Sequence, residues 1–287
     1  MSVRSSAPPQ VFVLGSGRSG TTIVLEGIAC LDGVAPVPRL AGRAPRITGL
    51  AARMARRGMG PAAWTRASPE ATGLFREAGL TGQLQARLGR SVRPEDVDVA
   101  KMNRFRRRLE AVRANSAVDT VVVKNTASCA RVPVLASTFD DAAFVHVLRH
   151  PARVVMSLLR TEFWQQMTLW WDGRSTEQYG AEEGLAPEEV AAQHWSRQVR
   201  AAHLDLTACA AARFEVIRFE DFVEKPLQVL HKLEGVGVRV RGEAQLRRRL
   251  RDLNVAAPSS SPAIPRPVTV AVDKHCAETA ALLGMTL

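Results

Sequence analysis

A short apolar segment that leads directly into a glycine-rich loop and then a helix constrains this chain more than any other feature. Residues 11–14 (VFVL) have the composition of a buried strand, and residues 15–20 (GSGRSG) follow at once. Apolar residues then recur at helical spacing over residues 21–31, which predicts a helix. Because backbone N–H groups at the start of a helix can bind a phosphate, the sequence predicts an anion site at this turn.

Three types of phosphate loop are compatible with glycines at these positions. A dinucleotide-binding loop requires an acidic residue about 20 positions further on, but residues 34–39 (VAPVPR) contain none. A Walker A loop requires a lysine where this chain has Thr21, and without it the chemistry at the β- and γ-phosphates loses its main cation. In the third type the cation comes earlier in the loop, at Arg18. This third type fits the residues best.

Three more apolar segments have strand composition, and helical patterns lie between them. The predicted strands are residues 120–123, 143–148 and 214–217, and the predicted helices are residues 131–138, 151–160, 187–212 and 226–233. Alternating strands and helices predict a parallel sheet with helices on both faces. We therefore predict an α/β fold with three layers (α/β/α) and a central parallel sheet, formed by a single domain over residues 1–287.

Residues 33–118 differ from the rest because Pro, Gly and Arg are frequent and apolar periodicity is weak. A helix is predicted to start at Ser68-Pro69-Glu70, with the proline in its first turn, and another near Pro94. We interpret this region as a helical insertion on the substrate side of the core, where selectivity is commonly determined. Residues 258–267 are rich in Ser and Pro and are predicted to form a loop.

A second candidate anion site follows the predicted strand at residues 143–148. Arg149 stands at the carboxyl end of that strand, where open α/β sheets bind their ligands, and a guanidinium makes charge-assisted bonds to phosphate. Pro151 then starts a helix whose N-terminus favours an anion, and Ser157 lies on that helix. A structural turn with an incidental arginine is the alternative for this segment taken alone.

Together, these two segments resemble the 5′-phosphosulfate loop and the 3′-phosphate motif of bacterial P-loop sulfotransferases. Enzymes of that family use 3′-phosphoadenosine 5′-phosphosulfate (PAPS) and release adenosine 3′,5′-bisphosphate (PAP). The resemblance implies a sulfotransferase-like fold in which Arg18 contacts the phosphosulfate, while Arg149 and Ser157 bind the 3′-phosphate. The residues that it assigns to the 5′-phosphate are Gly17, Ser19, Gly20, Thr21 and Thr22.

Two further segments extend the resemblance to about residue 237. Residues 122–126 (VVKNT) resemble the family segment whose lysine reaches the transferring sulfuryl group. The resemblance assigns this role to Lys124, although the proline of the family segment is absent. Residues 216–222 (VIRFEDF) resemble a family segment that reads R-Y-E-D-L, with Phe219 in place of the tyrosine.

The general base does not follow directly from the resemblance. Many relatives have a glutamate where this chain has Arg39. We assign the base to Glu70, because it lies in the substrate-side insertion, where some bacterial relatives carry an acid, and a base should take the proton of the acceptor. The other candidates are Glu26, His146, His150 and His194. Four aromatic residues could line an apolar acceptor site or pack in the core: Phe163, Trp164, Trp170 and Trp171.

Composition and charge say more about the cellular location and the kind of partner than about the reaction. The 287 residues carry a net charge of +11, and only five of the 39 basic residues are lysine. Such a charge fits either an anionic partner or an Arg-rich solvated surface. The four cysteines lack C-x-x-C spacing, which predicts no zinc or redox site and suits a reducing compartment. With no signal peptide or membrane span predicted at its start, the protein is expected to be cytoplasmic.

The sequence therefore predicts metal-free, in-line transfer of a sulfuryl group from PAPS to a hydroxyl or amine of a small-molecule, glycan or glycolipid acceptor. The predicted catalytic residues are Arg18, Lys124 and Glu70, and no nucleic-acid partner or integral membrane segment is expected. One alternative is a P-loop nucleotide kinase or NTPase, which would depend on Mg²⁺. Another is a non-catalytic PAPS-binding protein. A nucleic-acid binder using residues 104–108 and 247–251 would show steep salt dependence.

Overall fold

The structure of the protein, a computed structural model, describes residues 9–59, 66–210, 212–253 and 262–287. Its centre is a five-stranded sheet. The strands are β1 (Gln10–Leu14), β2 (Val34–Pro36), β3 (Thr120–Lys124), β4 (Ala142–Leu148) and β5 (Arg213–Arg218). Every neighbouring pair is parallel, and the order across the sheet is β2-β3-β1-β4-β5. The predicted parallel α/β sheet is confirmed.

Fourteen α-helices are formed by the described residues. They are α1 (Thr21–Ile28), α2 (Arg39–Arg43), α3 (Thr48–Arg56), α4 (Thr72–Glu77), α5 (Gly82–Leu88), α6 (Val99–Ser116), α7 (Val132–Thr138), α8 (Pro151–Leu159), α9 (Thr176–Glu183), α10 (Pro187–Ala208), α11 (Phe219–Glu224), α12 (Pro226–Lys232), α13 (Glu243–Asp252) and α14 (Arg266–Leu282).

The sheet is apolar on both faces, which is why helices cover both. Successive side chains of a strand point to opposite faces, and in β1 Phe12 and Leu14 pack in one core cluster while Val11 and Val13 pack in another. The first cluster includes residues of α4, α6 and α7. The second includes residues of α1, α12 and α13. The result is the predicted three-layer arrangement.

Strand β1 lies between β3 and β4, so three neighbouring strands end side by side at one edge of the sheet. The register pairs Val13 with both Lys124 and Val145. The residues that follow these strands therefore emerge close together, at the edge where open α/β sheets bind ligands. This topology brings the glycine loop, Lys124 and Arg149 to one place, although they are far apart in sequence.

The structure corrects several sequence-based boundaries. Residues 34–36, predicted to lie among helices and loops, form β2 and pair with Thr120–Val122; Pro36 is tolerated because β2 is an edge strand. The helix predicted to start at Ser68 starts at Thr72 instead, and Ser68 Oγ accepts a hydrogen bond from Ala71 N at 3.0 Å.

Three predicted segments end or begin elsewhere. The first helix ends at Ile28 and the long helix at Ala208, both earlier than predicted. Of the loop predicted over residues 258–267, residues 258–261 lie outside the described residues, and α14 already begins at Arg266.

His146 on β4 is a fully buried titratable group within the sheet. Among the described residues, neither ring nitrogen has a hydrogen-bond partner. Burial lowers the pKa of His146 to about 3, whereas an unfolded chain holds it near about 6.5. Folding therefore keeps this imidazole neutral over a wide acidic range.

We predict that His146→Leu makes the protein less sensitive to acid. Below pH about 6.5 the unfolded wild-type chain binds a proton that folded His146 does not, so the free energy of unfolding falls as the pH falls toward the folded pKa. Between pH about 7.5 and about 5 the wild type should lose about 2 kcal/mol more than the variant. Urea denaturation at both pH values measures this difference, and equal losses in the two proteins would contradict it.

Candidate active site

A cavity of about 650 Å³ lies at the carboxyl edge of the sheet. The glycine loop, the end of β3, the start of α11 and the face of α10 contribute to its walls. Eight of the residues predicted for the site line it: Gly17, Arg18, Gly20, Thr21, Thr22, Glu70, Lys124 and Arg149. Ser19 and Ser157 are not among the lining residues.

The glycine loop adopts a backbone that few residues other than glycine accept. Gly20 caps α1 with φ +85°, and a Cβ atom there would lie 2.1 Å from the ring of Phe219. At Gly15 a Cβ would lie 2.5 Å from the carbonyl oxygen of Val147. Arg18 also takes a left-handed conformation, with φ +69°. The loop thus delivers the first N–H groups of α1, which have no partner within the helix, to the cavity.

Ser19 is buried and Ser157 is half-buried. The N–H of Ser19 donates to the carbonyl of Ser16 at 3.1 Å, and its hydroxyl is buried with no hydrogen-bond partner in the described residues. Ser157 Oγ accepts a hydrogen bond from Arg18 Nε at 2.9 Å. In this geometry Ser157 orients the loop arginine, and Ser19 is part of the fold of the loop.

Arg149 closes the loop from the end of β4. One of its guanidinium nitrogens donates to the carbonyl of Arg18 at 3.0 Å, and the guanidinium lies 4.7 Å from the centre of the Phe219 ring. Burial lowers the pKa of Arg149, while the nearby Glu220 opposes this shift. Neither Arg18 nor Arg149 forms an ion pair with a carboxylate of the described residues. Two guanidinium groups beside helix N–H groups constitute a site for an anion.

Lys124 joins this loop to the predicted base. Its side chain is only 4% exposed, and Nζ bonds to a carboxylate oxygen of Glu70 and, at 3.3 Å, to Thr22 Oγ1. The second carboxylate oxygen of Glu70 accepts from Thr126 N at 2.9 Å and from Thr126 Oγ1 at 3.4 Å. The carboxylate is therefore held from two sides, with the lysine between it and α1.

A buried arginine stabilises the position of Glu70 indirectly. Arg131 is 2% exposed and donates to Asn125 Oδ1 at 3.2 Å and to Gln85 Oε1 at 2.8 Å. Asn125 in turn donates from its amide to the backbone carbonyl of Glu70 at 2.8 Å. Burial lowers the pKa of Arg131 to about 9, which leaves it charged at neutral pH. Arg131 thus fixes, through Asn125, the loop that carries Glu70.

The other half of the cavity is apolar and aromatic. Phe163, Met167 and Trp170 line it, together with His194 of α10. His194 is 3% exposed, and its Nδ1 has no hydrogen-bond partner in the described ranges. Burial lowers the pKa of His194 to about 4, so the imidazole is neutral at neutral pH. Trp164 packs in the core instead.

Sequence reasoning missed Gln198, which lies four residues after His194 and shares its helix face. Its Oε1 accepts a hydrogen bond from the N–H of Gly17 at 3.4 Å, so it connects α10 to the glycine loop. The i, i+4 spacing of two polar side chains on an otherwise apolar face was the available signal. His194, one of the candidate bases, is both buried and part of the cavity wall.

The remaining candidate bases lie outside the cavity wall. His150 is the N-cap of α8: its Nδ1 accepts from Ala152 N at 3.3 Å, and its own N–H donates to Glu220 at 3.1 Å. Glu26 is exposed on α1, and His146 is buried in β4. Arg39, which occupies the position of the glutamate of many relatives, donates from its N–H to the carbonyl of Arg66 at 2.7 Å.

Two features are absent from the described residues. No helix combines the length and apolarity that crossing a bilayer requires. No group of three or more His, Cys, Asp or Glu side chains within the same residues is placed to hold a metal ion.

We predict that Gly20→Ala destabilises the protein by about 1–3 kcal/mol, because a β-carbon there combines a left-handed backbone with overlap of the Phe219 ring. Gly17→Ala is the matched control, since its added Cβ would come no closer than 3.9 Å to Leu158. It should change stability by less than about 0.5 kcal/mol. Urea denaturation of both variants measures this, and equal stability of the two would contradict the loop geometry.

The chain resembles known proteins in sequence pattern and in fold. A model described as the sulfotransferase family matches residues 9–236, whereas no curated protein sequence matches. Sulfotransferase STF1 from Mycobacterium tuberculosis H37Rv superimposes with a TM-score of 0.60 at 18% identity, covering 94% of this chain and 77% of that one.

Two further solved structures show the same fold. Sulfotransferase STF9 from Mycobacterium avium gives a TM-score of 0.61 at 16% identity, covering 99% of this chain and 78% of that one. The sulfotransferase domain from the curacin biosynthetic pathway gives 0.52 at 17% identity, covering 99% and 100%. The family match spans most of the sequence, and the resemblance read from the motifs is confirmed: the chain belongs to the sulfotransferase family.

Proposed function

We propose that this sulfotransferase takes its sulfuryl group from PAPS and transfers it directly to a hydroxyl or amine of the acceptor. The observation that carries the proposal is the convergence of three cations, Arg18, Lys124 and Arg149, on one cavity beside the glycine loop. Such a cluster suits a donor with several negative charges. The cavity volume of about 650 Å³ is that of a small-molecule site.

The residues fit the two ends of such a donor. The N–H groups at the start of α1, with Gly17, Gly20, Thr21 and Thr22, would hold the 5′-phosphate. Arg149, half-buried and without a carboxylate partner among the described residues, would hold the 3′-phosphate. Ser157, predicted for the same role, does not line the cavity and instead orients Arg18. An anion at this position would offset the desolvation that lowers the pKa of Arg149. When bound, PAPS supplies a sulfuryl group activated by a phosphate leaving group.

The chain contributes positioning, charge and a base. Arg18 and Lys124 would stabilise negative charge that develops on the transferring group and the leaving oxygen. Glu70 would take the proton of the acceptor. Its contacts with Thr126 fix the direction of the carboxylate, and Lys124 lies between this base and Thr22 of the donor loop.

The kinase alternative is disfavoured by the position of Lys124. In a Walker A loop, the hydroxyl at the position of Thr22 binds Mg²⁺. Here Thr22 Oγ1 lies 3.3 Å from Lys124 Nζ, and an ammonium at this point repels a divalent cation. The non-catalytic alternative is weakened by Glu70, because a carboxylate does line the cavity although the position of Arg39 carries no acid.

Two finer assignments belong to the proposal. The acceptor, whether a small molecule, a glycan or a glycolipid, would enter the apolar half of the cavity beside Phe163, Met167 and Trp170. The location would be cytoplasmic, because Cys30, Cys129, Cys209 and Cys276 are all free thiols, as in proteins of a reducing compartment.

We predict that PAP binds the wild type and that Arg149→Ala weakens the binding roughly ten- to a hundredfold, because a charge-assisted bond to a phosphate is lost. Calorimetric titration measures the dissociation constant of PAP for the wild type and for the variant. Arg160→Ala is the matched control, since Arg160 is exposed just after the same helix and does not line this cavity. Adenosine 5′-monophosphate should bind more weakly than PAP. Equal binding of the two nucleotides, or preferential binding of Mg²⁺–ATP, would overturn the proposal.

We predict that Glu70→Gln lowers the rate of transfer by about 10²–10⁴-fold and changes PAP affinity little, because proton uptake is removed while the groups that hold the donor stay. The variant also loses the ion pair with Lys124, so its rate is measured under conditions where urea denaturation shows that it is folded. The measurement is transfer of labelled sulfate from PAPS to any acceptor that the wild type uses from a panel of alcohols, phenols and amines. Glu26→Gln, on the exposed side of α1, is the control. A Glu70→Gln enzyme with the wild-type rate would exclude Glu70 as the base.

A further inference from the structure

The segment from residue 34 to residue 69 is unusual in its charge. It contains seven arginines and no aspartate or glutamate. Five of these arginines are exposed, around and within α3: Arg43, Arg46, Arg53, Arg56 and Arg57. They form no ion pair with any described carboxylate, and the residues outside the described ranges contain no Asp or Glu.

Helix α3 has an inner face that packs against the protein and an outer face that is exposed to solvent. Its inner face carries the buried Thr48, Ala51 and Ala52, and the helix packs along α6. The outer face carries exposed residues at helical spacing. These residues, Arg46, Ile47, Leu50, Arg53 and Arg57, we call the α3 face.

The α3 face is apolar as well as basic. Ile47 is 39% exposed and Leu50 is 47% exposed, and Met59 just beyond the helix is 52% exposed. Nine large hydrophobic residues are exposed in the described part of the chain, and these three of them fall within residues 47–59. Scattered exposed apolar residues need no explanation, but a group of them among unpaired arginines marks a surface for an interaction.

Other arginine clusters of the protein differ from the α3 face. In residues 104–108, Arg106 and Arg108 pair with Glu110 and Glu77. On α13, Arg247 and Arg249 pair with Glu243 and Asp32. Two arginines of each cluster are therefore paired, while Arg104, Arg107, Arg248 and Arg251 are exposed and form no ion pair with a described carboxylate. The α3 face differs in that none of its arginines is paired with a described carboxylate and in that exposed Ile47 and Leu50 lie among them.

We propose that the α3 face docks the protein on the surface of an anionic lipid bilayer. Guanidinium groups bind lipid phosphates, and apolar side chains between them enter the boundary between headgroups and acyl chains. A nucleic acid would satisfy the arginines but would leave Ile47 and Leu50 against a hydrated phosphate backbone. The inference does not rest on sulfuryl transfer, because it concerns a surface and not the cavity.

The test is co-sedimentation of the full chain with phosphatidylcholine vesicles that contain or lack phosphatidylserine. We expect binding only to the anionic vesicles. Arg53→Glu/Arg57→Glu should reduce the partition coefficient at least tenfold, because each basic residue near an anionic surface contributes roughly a factor of five. Leu50→Asp should also reduce it at the same salt concentration, because an apolar side chain is lost from the boundary between headgroups and acyl chains.

The matched control is Arg248→Glu/Arg251→Glu on α13, which makes the same change of net charge at two exposed arginines. This variant should keep most of the binding. Equal losses in the two double variants would reduce the effect to net charge and overturn the inference. No binding by the wild type, or binding to duplex DNA that exceeds lipid binding and needs Arg53 and Arg57, would also overturn it. Circular dichroism verifies that each variant is folded.

Discussion

The rest of the site depends on Lys124, which forms an ion pair with Glu70 and also contacts Thr22. Through these contacts it connects three parts of the protein. Lys124 ends a central strand, Glu70 belongs to the long insertion, and Thr22, the other partner of the lysine, starts the first helix. The ammonium is almost fully buried, and removing the partner of such a charge costs about 3–5 kcal/mol. The pair therefore fixes the insertion onto the sheet. It also holds an ammonium and a carboxylate side by side in the cavity wall.

The contact between Lys124 and Thr22 forms because β1 and β3 are parallel neighbours. The register sets Val13 beside Lys124 on one side and Val145 on the other. The loop after β1 then meets the ends of both neighbours, and Arg149 reaches the carbonyl of Arg18. Anion-binding groups that come from separate segments thus meet without any local sequence signal. The glycine backbone of the loop permits this approach, since side chains at Gly15 or Gly20 would overlap their neighbours.

The sequence alone predicted those features that a local residue pattern and a chemical role both indicate. Strands β1, β3 and β4 are buried and largely apolar, and the alternation of strands and helices allowed the parallel sheet to be predicted. Arg18, Lys124 and Arg149 follow or end these strands, so they could be predicted to lie at one edge of the sheet. Strand β2 could not, because three residues that include Pro36 form a strand only by pairing with β3. The helix start at Ser68 was wrong because its hydroxyl caps a turn that precedes α4. Gln198 was missed because its role depends on the packing of α10 against the loop.

Positive charge serves two different purposes in this molecule, and burial separates them. In the cavity wall, burial lowers the pKa of Arg149 and a hydrogen bond to the carbonyl of Arg18 fixes its position, which suits the recognition of one anion with defined geometry. On the α3 face, the arginines are exposed to solvent beside exposed Leu50, which suits a surface with many interchangeable phosphates. A net charge of +11 cannot distinguish these roles, but the pairing and the exposure of each arginine can. Under the two proposals, the cavity cations would bind one anionic donor, whereas the exposed α3 face, which lines no part of the cavity, would contact an anionic surface.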